Sequence, residues 1–152
     1  MKLYHFSQTQ KLPITQDVAW AFFSNPANLA QLMPPWLKMK DETFDPTKRI
    51  YPGMIFNYSV KLYGLIPTRW VGEIVQVREP DCLIDIQHFG PFRFWHHAHH
   101  ITPVEGGVEV KDVVHYALPV GSFGEIAHKL FVRSQLQALF KHRYQMLAEF
   151  FG

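Results

Sequence analysis

Between Lys38 and Leu118 the chain leaves no room for crossover connections. Strand-like runs follow one another there, separated only by short turn signals: Tyr51-Pro52-Gly53, YGLIP at 63–67, Glu79-Pro80-Asp81, Gly90-Pro91 and Glu105-Gly106-Gly107. Connections this short join antiparallel neighbours, because a parallel return needs a dozen or more residues. The turn count predicts a meander of about six strands.

The flanks of this block read differently. Residues 3–12 alternate loosely and stop at Pro13, as a first strand would. A helix follows, with Thr15 as N-cap and Asp17 favourable in its first turn. Asn25-Pro26 supplies a second cap with proline at the first helical position, opening a short helix through Leu32 that Pro34 and Pro35 stop. At the other end, Ser122 to Glu125 has capping-box spacing. Beyond it Ile126, Leu130, Leu136, Leu139, Phe140, Leu147 and Phe150 recur at helical intervals. A helix over most of 123–151 would span on the order of 40 Å and must lie across the sheet. The fold class is α+β, as one domain over residues 1–152.

Composition narrows the partners. Hydrophobic residues make up 47% and aromatic residues 15% of the 152, so the chain can bury a real core. A formal charge of +2 without a long basic block excludes the electrostatic footprint of a nucleic-acid binder. The one cysteine, Cys82, forms no intrachain disulfide and fits a reducing compartment. No apolar run approaches the ~20 residues of a membrane span, and MKLYHFSQTQKLPIT has no signal-type apolar region. The expectation is a cytoplasmic protein.

Chemistry concentrates in FWHHAHH, residues 94–100, where four of nine histidines fall together. On the strand that follows, Val108, Val110, Val114 and Tyr116 share one face by period two, and Asp112 shares it. A two-residue turn at Glu105-Gly106 sets His99 opposite Asp112, His97 opposite Val114 and Trp95 opposite Tyr116; a turn at Gly106-Gly107 moves the pairs by two residues without changing faces, and a three-residue turn would reverse the faces. With either two-residue turn Trp95, His97, His99 and Asp112 point inward, and His96, Ala98 and His100 outward. The preceding strand is open to two readings. Alternation with a two-residue Gly-Pro turn buries Ile84 and Ile86, whereas a three-residue loop or bulge at 90–92 turns Leu83, Asp85 and Gln87 inward, with Asp85 opposite His97.

Three motifs carry a resemblance: D-x-Q-x-x-G-P followed by an aromatic at Asp85 to Phe92, W-x-H-x-H at Trp95 to His99, and D-x-x-x-Y at Asp112 to Tyr116. Together with AHKLFVRSQLQALFKHR and the opening PITQDVAWAFFSNPANLAQLMPPW, the chain resembles the START-like SRPBCC superfamily over nearly its whole length. The nearest branch is the bacterial one labelled polyketide cyclase/dehydrase-like. The resemblance implies a helix-grip fold: a curved antiparallel sheet of about six to seven strands around the long C-terminal helix, with two short helices after strand one and a cavity between sheet and helix. It also implies Asp85 and Gln87 facing inward. Where the pattern commonly has polar residues this chain has Ile86, Phe94 and Ala98, giving an outer face that offers a homodimer contact.

The expected function is binding of a hydrophobic, lipid- or polyketide-like small molecule in that cavity. Phe56, Tyr58, Trp70, Asp85, Gln87, Trp95, His97, His99, Asp112, Tyr116, Leu139 and Arg143 are the expected ligand-binding residues. For His97 and His99 the plainer role is that of buried imidazoles satisfied by Asp85, Gln87 or Asp112. The alternative is a cofactor-free cyclase or dehydratase in which a His–Asp pair among His97, His99, Asp85 and Asp112 acts as general base. A protein-interaction module is a third reading without a motif of its own. A metal would need a fourth ligand beyond His97, His99 and Asp112, and none has the spacing, so neither metal nor cofactor is expected. Val60, Leu62 and Ile74 read as core or cavity wall, and Arg69 as solvated. Arg143 reads by default as a snorkelling surface side chain, with contact to an anionic head group as the sharper reading. The segment MPPWLK, 33–38, reads equally as a simple packed loop or as a cover over the cavity mouth with Trp36 as a gate.

Overall fold

The computed structural model describes residues 1–119, 123, 125, 126 and 128–152. Seven strands form one antiparallel sheet: β1 (Tyr4–Leu12), β2 (Lys40–Asp41), β3 (Met54–Leu62), β4 (Ile66–Arg78), β5 (Cys82–Phe89), β6 (Phe94–Val104) and β7 (Gly107–Ala117). The order across the sheet is β1-β7-β6-β5-β4-β3-β2. The six strands after residue 38 are thus the expected meander, and β1 closes its far edge against β7.

Helices α1 (Gln16–Phe23) and α2 (Pro26–Gln31) carry the chain from one sheet edge to the other. Their caps are those expected: Thr15 Oγ1 accepts from the Val18 amide at 3.3 Å, and Asn25 Oδ1 from the Ala27 amide at 3.0 Å. Ala19, Trp20 and Phe23 of α1 are buried in the core with Leu12, Ile101 and Val108.

The C-terminal helix follows expectation in extent: the described residues Phe123, Glu125 and Ile126 are already α-helical, and helical structure continues from His128 to Phe151. An α-helix, α3, runs over Arg133–Phe151, preceded by a five-residue π-helical turn, His128–Val132. The 19 residues of α3 alone span about 28 Å. The capping box at Ser122 lies outside the described residues. Leu136, Phe140 and Leu147 bury one stripe of α3, with Leu139 and Arg143 beside it. Two glutamines of β1 tie this helix to the sheet: Gln8 Nε2 donates to the Phe140 carbonyl at 2.9 Å and Gln10 Nε2 to the Tyr144 carbonyl at 3.0 Å.

Curvature comes from β4. Its ladder with β5 shifts register between Val71 and Gly72 and again between Ile74 and Gln76. Gly72 is required there, because a Cβ would fall 2.2 Å from the Phe56 ring and 2.8 Å from the Ile86 carbonyl oxygen. Among the described residues, no helix is long and apolar enough to cross a membrane.

Candidate functional site

The β6–β7 hairpin aligns the site. It turns at Glu105-Gly106, pairing Val104 with Gly107, His99 with Asp112, His97 with Val114 and Trp95 with Tyr116. On the other side Asp85 pairs with His97, so Leu83, Asp85 and Gln87 share the inner face and Ile84 and Ile86 the outer. Between this face and α3 lies a cavity of about 570 Å³. Its wall is built of apolar and aromatic side chains, among them Phe56, Tyr58, Val60, Trp70, Ile74 and Trp95 from the sheet and Leu136, Leu139 and Phe140 from α3. Burial drives the Tyr58 phenol far above its usual pKa, with the Asp41 and Asp85 charges adding to the effect.

Polar groups converge at one place in this wall. Asp85 accepts from Trp95 Nε1 at 3.2 Å through one oxygen and from His97 Nδ1 at 3.1 Å through the other. His97 Nε2 and His99 Nδ1 both lie 2.7 Å from the same oxygen of Asp112, Oδ1. Arg143 brings Nη2 within 3.7 Å of that oxygen. His97, His99 and Asp112 are all buried.

The two imidazoles are in different states. Carboxylates only accept, so His97, held between two of them, donates from both nitrogens and is a cation. Burial opposes that charge, but the Asp85 charge and the hydrogen bonds to Asp112 and Asp85 outweigh it, and the pKa rises from 6.5 to about 9. For His99 burial prevails, assisted by the charges of Arg143 and His97, and the pKa falls below 6.5. His99 therefore donates Nδ1–H to Asp112 and keeps Nε2 unprotonated, and that nitrogen is buried without a partner. Burial would push Asp112 up, yet Arg143, His99 and His97 hold its carboxyl well below the usual range. The network balances two carboxylates against His97 and Arg143.

Metal ligation fits this arrangement poorly. The ligand atoms of His97, His99 and Asp112 lie within 4.8 Å of one another. His97 Nε2, His99 Nδ1 and Asp112 Oδ1 are committed to the hydrogen bonds just described, only His99 Nε2 among their imidazole nitrogens being free, and the Arg143 guanidinium already supplies the positive charge facing Asp112. A cation would have to displace it.

Nine of the twelve expected ligand-binding residues line the cavity: Phe56, Tyr58, Trp70, Asp85, Trp95, His97, His99, Leu139 and Arg143. The other three stand outside its lining. Asp112 sits behind the two histidines as their shared acceptor. Gln87 folds back on its own loop, donating to the Phe92 carbonyl at 2.6 Å. Tyr116 turns its hydroxyl to His128 Nε2 at 2.7 Å, with Tyr4 stacked on the His128 ring at 3.6 Å between centroids. Arg143 is no snorkelling surface residue: its side chain is 11% exposed, it lines the cavity, and its Nε is buried without a partner. Arg69 is exposed, as expected. Cys82 is buried, and burial raises its thiol pKa. Sequence reasoning missed Gln8, Gln10 and the Tyr116–His128 pair. It also missed Leu29 and Ala30, the α2 side of the wall.

Known structures share this fold at low identity. A protein from Chromobacterium violaceum superposes with a TM-score of 0.73 at 11% identity, covering 97% of this chain and 96% of its own. Norcoclaurine synthase from Thalictrum flavum, in complex with dopamine and hydroxybenzaldehyde, gives 0.69 at 16% identity, covering 97% and 88%. Ara h 8.0201 gives 0.59 at 12% identity, covering 97% and 99%. What they share with this chain is the helix-grip fold. No curated protein matches the chain. A family model matches residues 10–151, and the chain belongs to the family described as Domain of unknown function (DUF8410).

Proposed function

We propose that this protein binds a hydrophobic small molecule, lipid- or polyketide-like, in the cavity between sheet and α3. The observation that carries the reading is the cavity itself. About 570 Å³ falls within the range of small-molecule sites, and its apolar wall is interrupted by one convergent polar group, Asp85, His97, His99 and Arg143. Norcoclaurine synthase, similar in fold, holds two small aromatic molecules. In this chain Trp70 and Trp95, edge to face at 4.9 Å, offer an aromatic wall of the same chemical kind.

The test is fluorescence titration with 1-anilinonaphthalene-8-sulfonate, an aromatic anion. Saturable enhancement by the native protein, lost in Leu139→Trp, which fills the cavity from α3, supports the reading. Equal enhancement in both proteins places the dye elsewhere and overturns it.

A cofactor-free cyclase or dehydratase is the second reading, and the asymmetry of the two histidines favours one residue for it. His97 is protonated and spent on two carboxylates, whereas His99 is neutral with its tautomer fixed by Asp112. Turnover abolished in His99→Gln, with dye binding kept, identifies that chemistry. Turnover unchanged by that substitution removes His99 as base.

A further inference from the structure

Three large hydrophobic side chains both line the cavity and stand exposed at the surface: Trp36, Tyr63 and Phe123. They mark its mouth. Each belongs to a different segment, and two of the segments meet directly, since a Cβ on Gly64 would lie 3.6 Å from the Trp36 carbonyl oxygen. The Tyr63 ring also packs edge-on against Phe131 at 6.2 Å between centroids.

Around this mouth the surface stays apolar. Leu65, at the tip of the β3–β4 hairpin, is 81% exposed, and Ile66, Leu130 and Phe131 are exposed beside it. None of these four lines the cavity, so packing inside the molecule does not account for them. Large exposed apolar clusters on soluble chains mark interaction sites. The charges nearby have one sign. Residues 33–38, 61–66 and 128–133 contain no Asp or Glu but include Lys38, Lys61 and Arg133, all exposed. The neighbouring acid, Glu125, is paired with Lys2 at 3.5 Å. Aromatic and aliphatic tips flanked by lysine and arginine, with the neighbouring carboxylate paired to a lysine, complement an anionic bilayer surface.

We propose that the cavity mouth docks on anionic membrane, with Leu65, Ile66, Leu130 and Phe131 entering the interface and Lys38, Lys61 and Arg133 meeting lipid head groups. The cavity then opens toward the bilayer, where a hydrophobic ligand would reside.

Co-sedimentation of the full chain with sucrose-loaded vesicles tests this. One set is phosphatidylcholine alone and the other has a quarter of it replaced by phosphatidylglycerol. The expected result is binding to the anionic vesicles that weakens with added salt. It should fall at least roughly tenfold in Leu65→Ser/Phe131→Ser and be unchanged in Ile55→Ser, which removes an exposed apolar side chain from the opposite sheet face. Circular dichroism and dye binding equal to the native protein show that the double variant is folded with its cavity intact. No sedimentation with anionic vesicles overturns the proposal, as does binding that the double variant retains. A dimer seen by light scattering and dissolved by the same substitutions also overturns it, assigning the patch to a second copy.

Discussion

Stability against pH is where the buried network should be most visible. His97 titrates at about 9 in the folded chain and near 6.5 unfolded, so between those values the folded state holds a proton that the unfolded state has released. Its contribution is fully present below pH 6.5 and is lost as pH rises to 9. At 1.36 kcal/mol per unit this amounts to about 3 kcal/mol, a large share of the ~5–15 kcal/mol that holds a domain folded. His99 works in the opposite direction. Its folded pKa lies below 6.5, so its contribution is present above 6.5 and is lost as pH falls through the folded value. The two together place maximal stability near pH 6.5. Urea unfolding at half-unit steps from pH 5.5 to 9, at constant ionic strength, measures the curve. The Cys82 thiol contributes mainly toward the top of that range, and comparison with His97→Gln isolates the imidazole. The native protein should lose about 3 kcal/mol between pH 6.5 and 9, and His97→Gln should be nearly flat. A native curve as flat as the variant's would refute the doubly bonded, protonated His97.

Arg143→Met leaves the Asp112 charge without its guanidinium and should cost about 3 kcal/mol in urea unfolding. The His99 pKa should rise in the same variant, since Arg143 helps depress it, and imidazole carbon NMR shifts follow that change. Tyr116→Phe breaks the bond to His128 and should cost about 1 kcal/mol while leaving dye affinity unchanged, because Tyr116 lies outside the cavity lining. Gly72→Ala should cost about 1–3 kcal/mol. The Phe56 ring can shift away from the new methyl, but the Ile86 carbonyl oxygen belongs to the neighbouring strand and cannot.

Much of the sheet was legible because period two and turn length act together. Once Glu105-Gly106 is read as a two-residue turn, every pair from Val104–Gly107 to Trp95–Tyr116 follows, and with them the shared face of His97, His99 and Asp112. The face of β5 was not legible from alternation, because Ile84 and Ile86 are apolar yet point away from the cavity. The motif resemblance resolved it by requiring Asp85 inside. The β4 bulges left no mark beyond Gly72, since a register shift depends on both strands. Arg143 was misjudged for a related reason: helical spacing places it beside Leu139 and Leu147, but only the sheet can supply Asp112 as the partner that draws it in. Gln8 and Gln10 were unreadable because their acceptors, the carbonyls of Phe140 and Tyr144, come from the far end of the chain. The π-helical turn at His128–Val132 left no mark either, since apolar residues recur at helical intervals through it.

Native mass spectrometry, after exposing the purified protein to a lipid and metabolite extract and repeated under denaturing conditions, tests the cavity assignment most directly. The account predicts one organic adduct per chain, released on denaturation and absent from Leu139→Trp. A bare chain mass in the native spectrum, or an adduct that the filled cavity still retains, would contradict it.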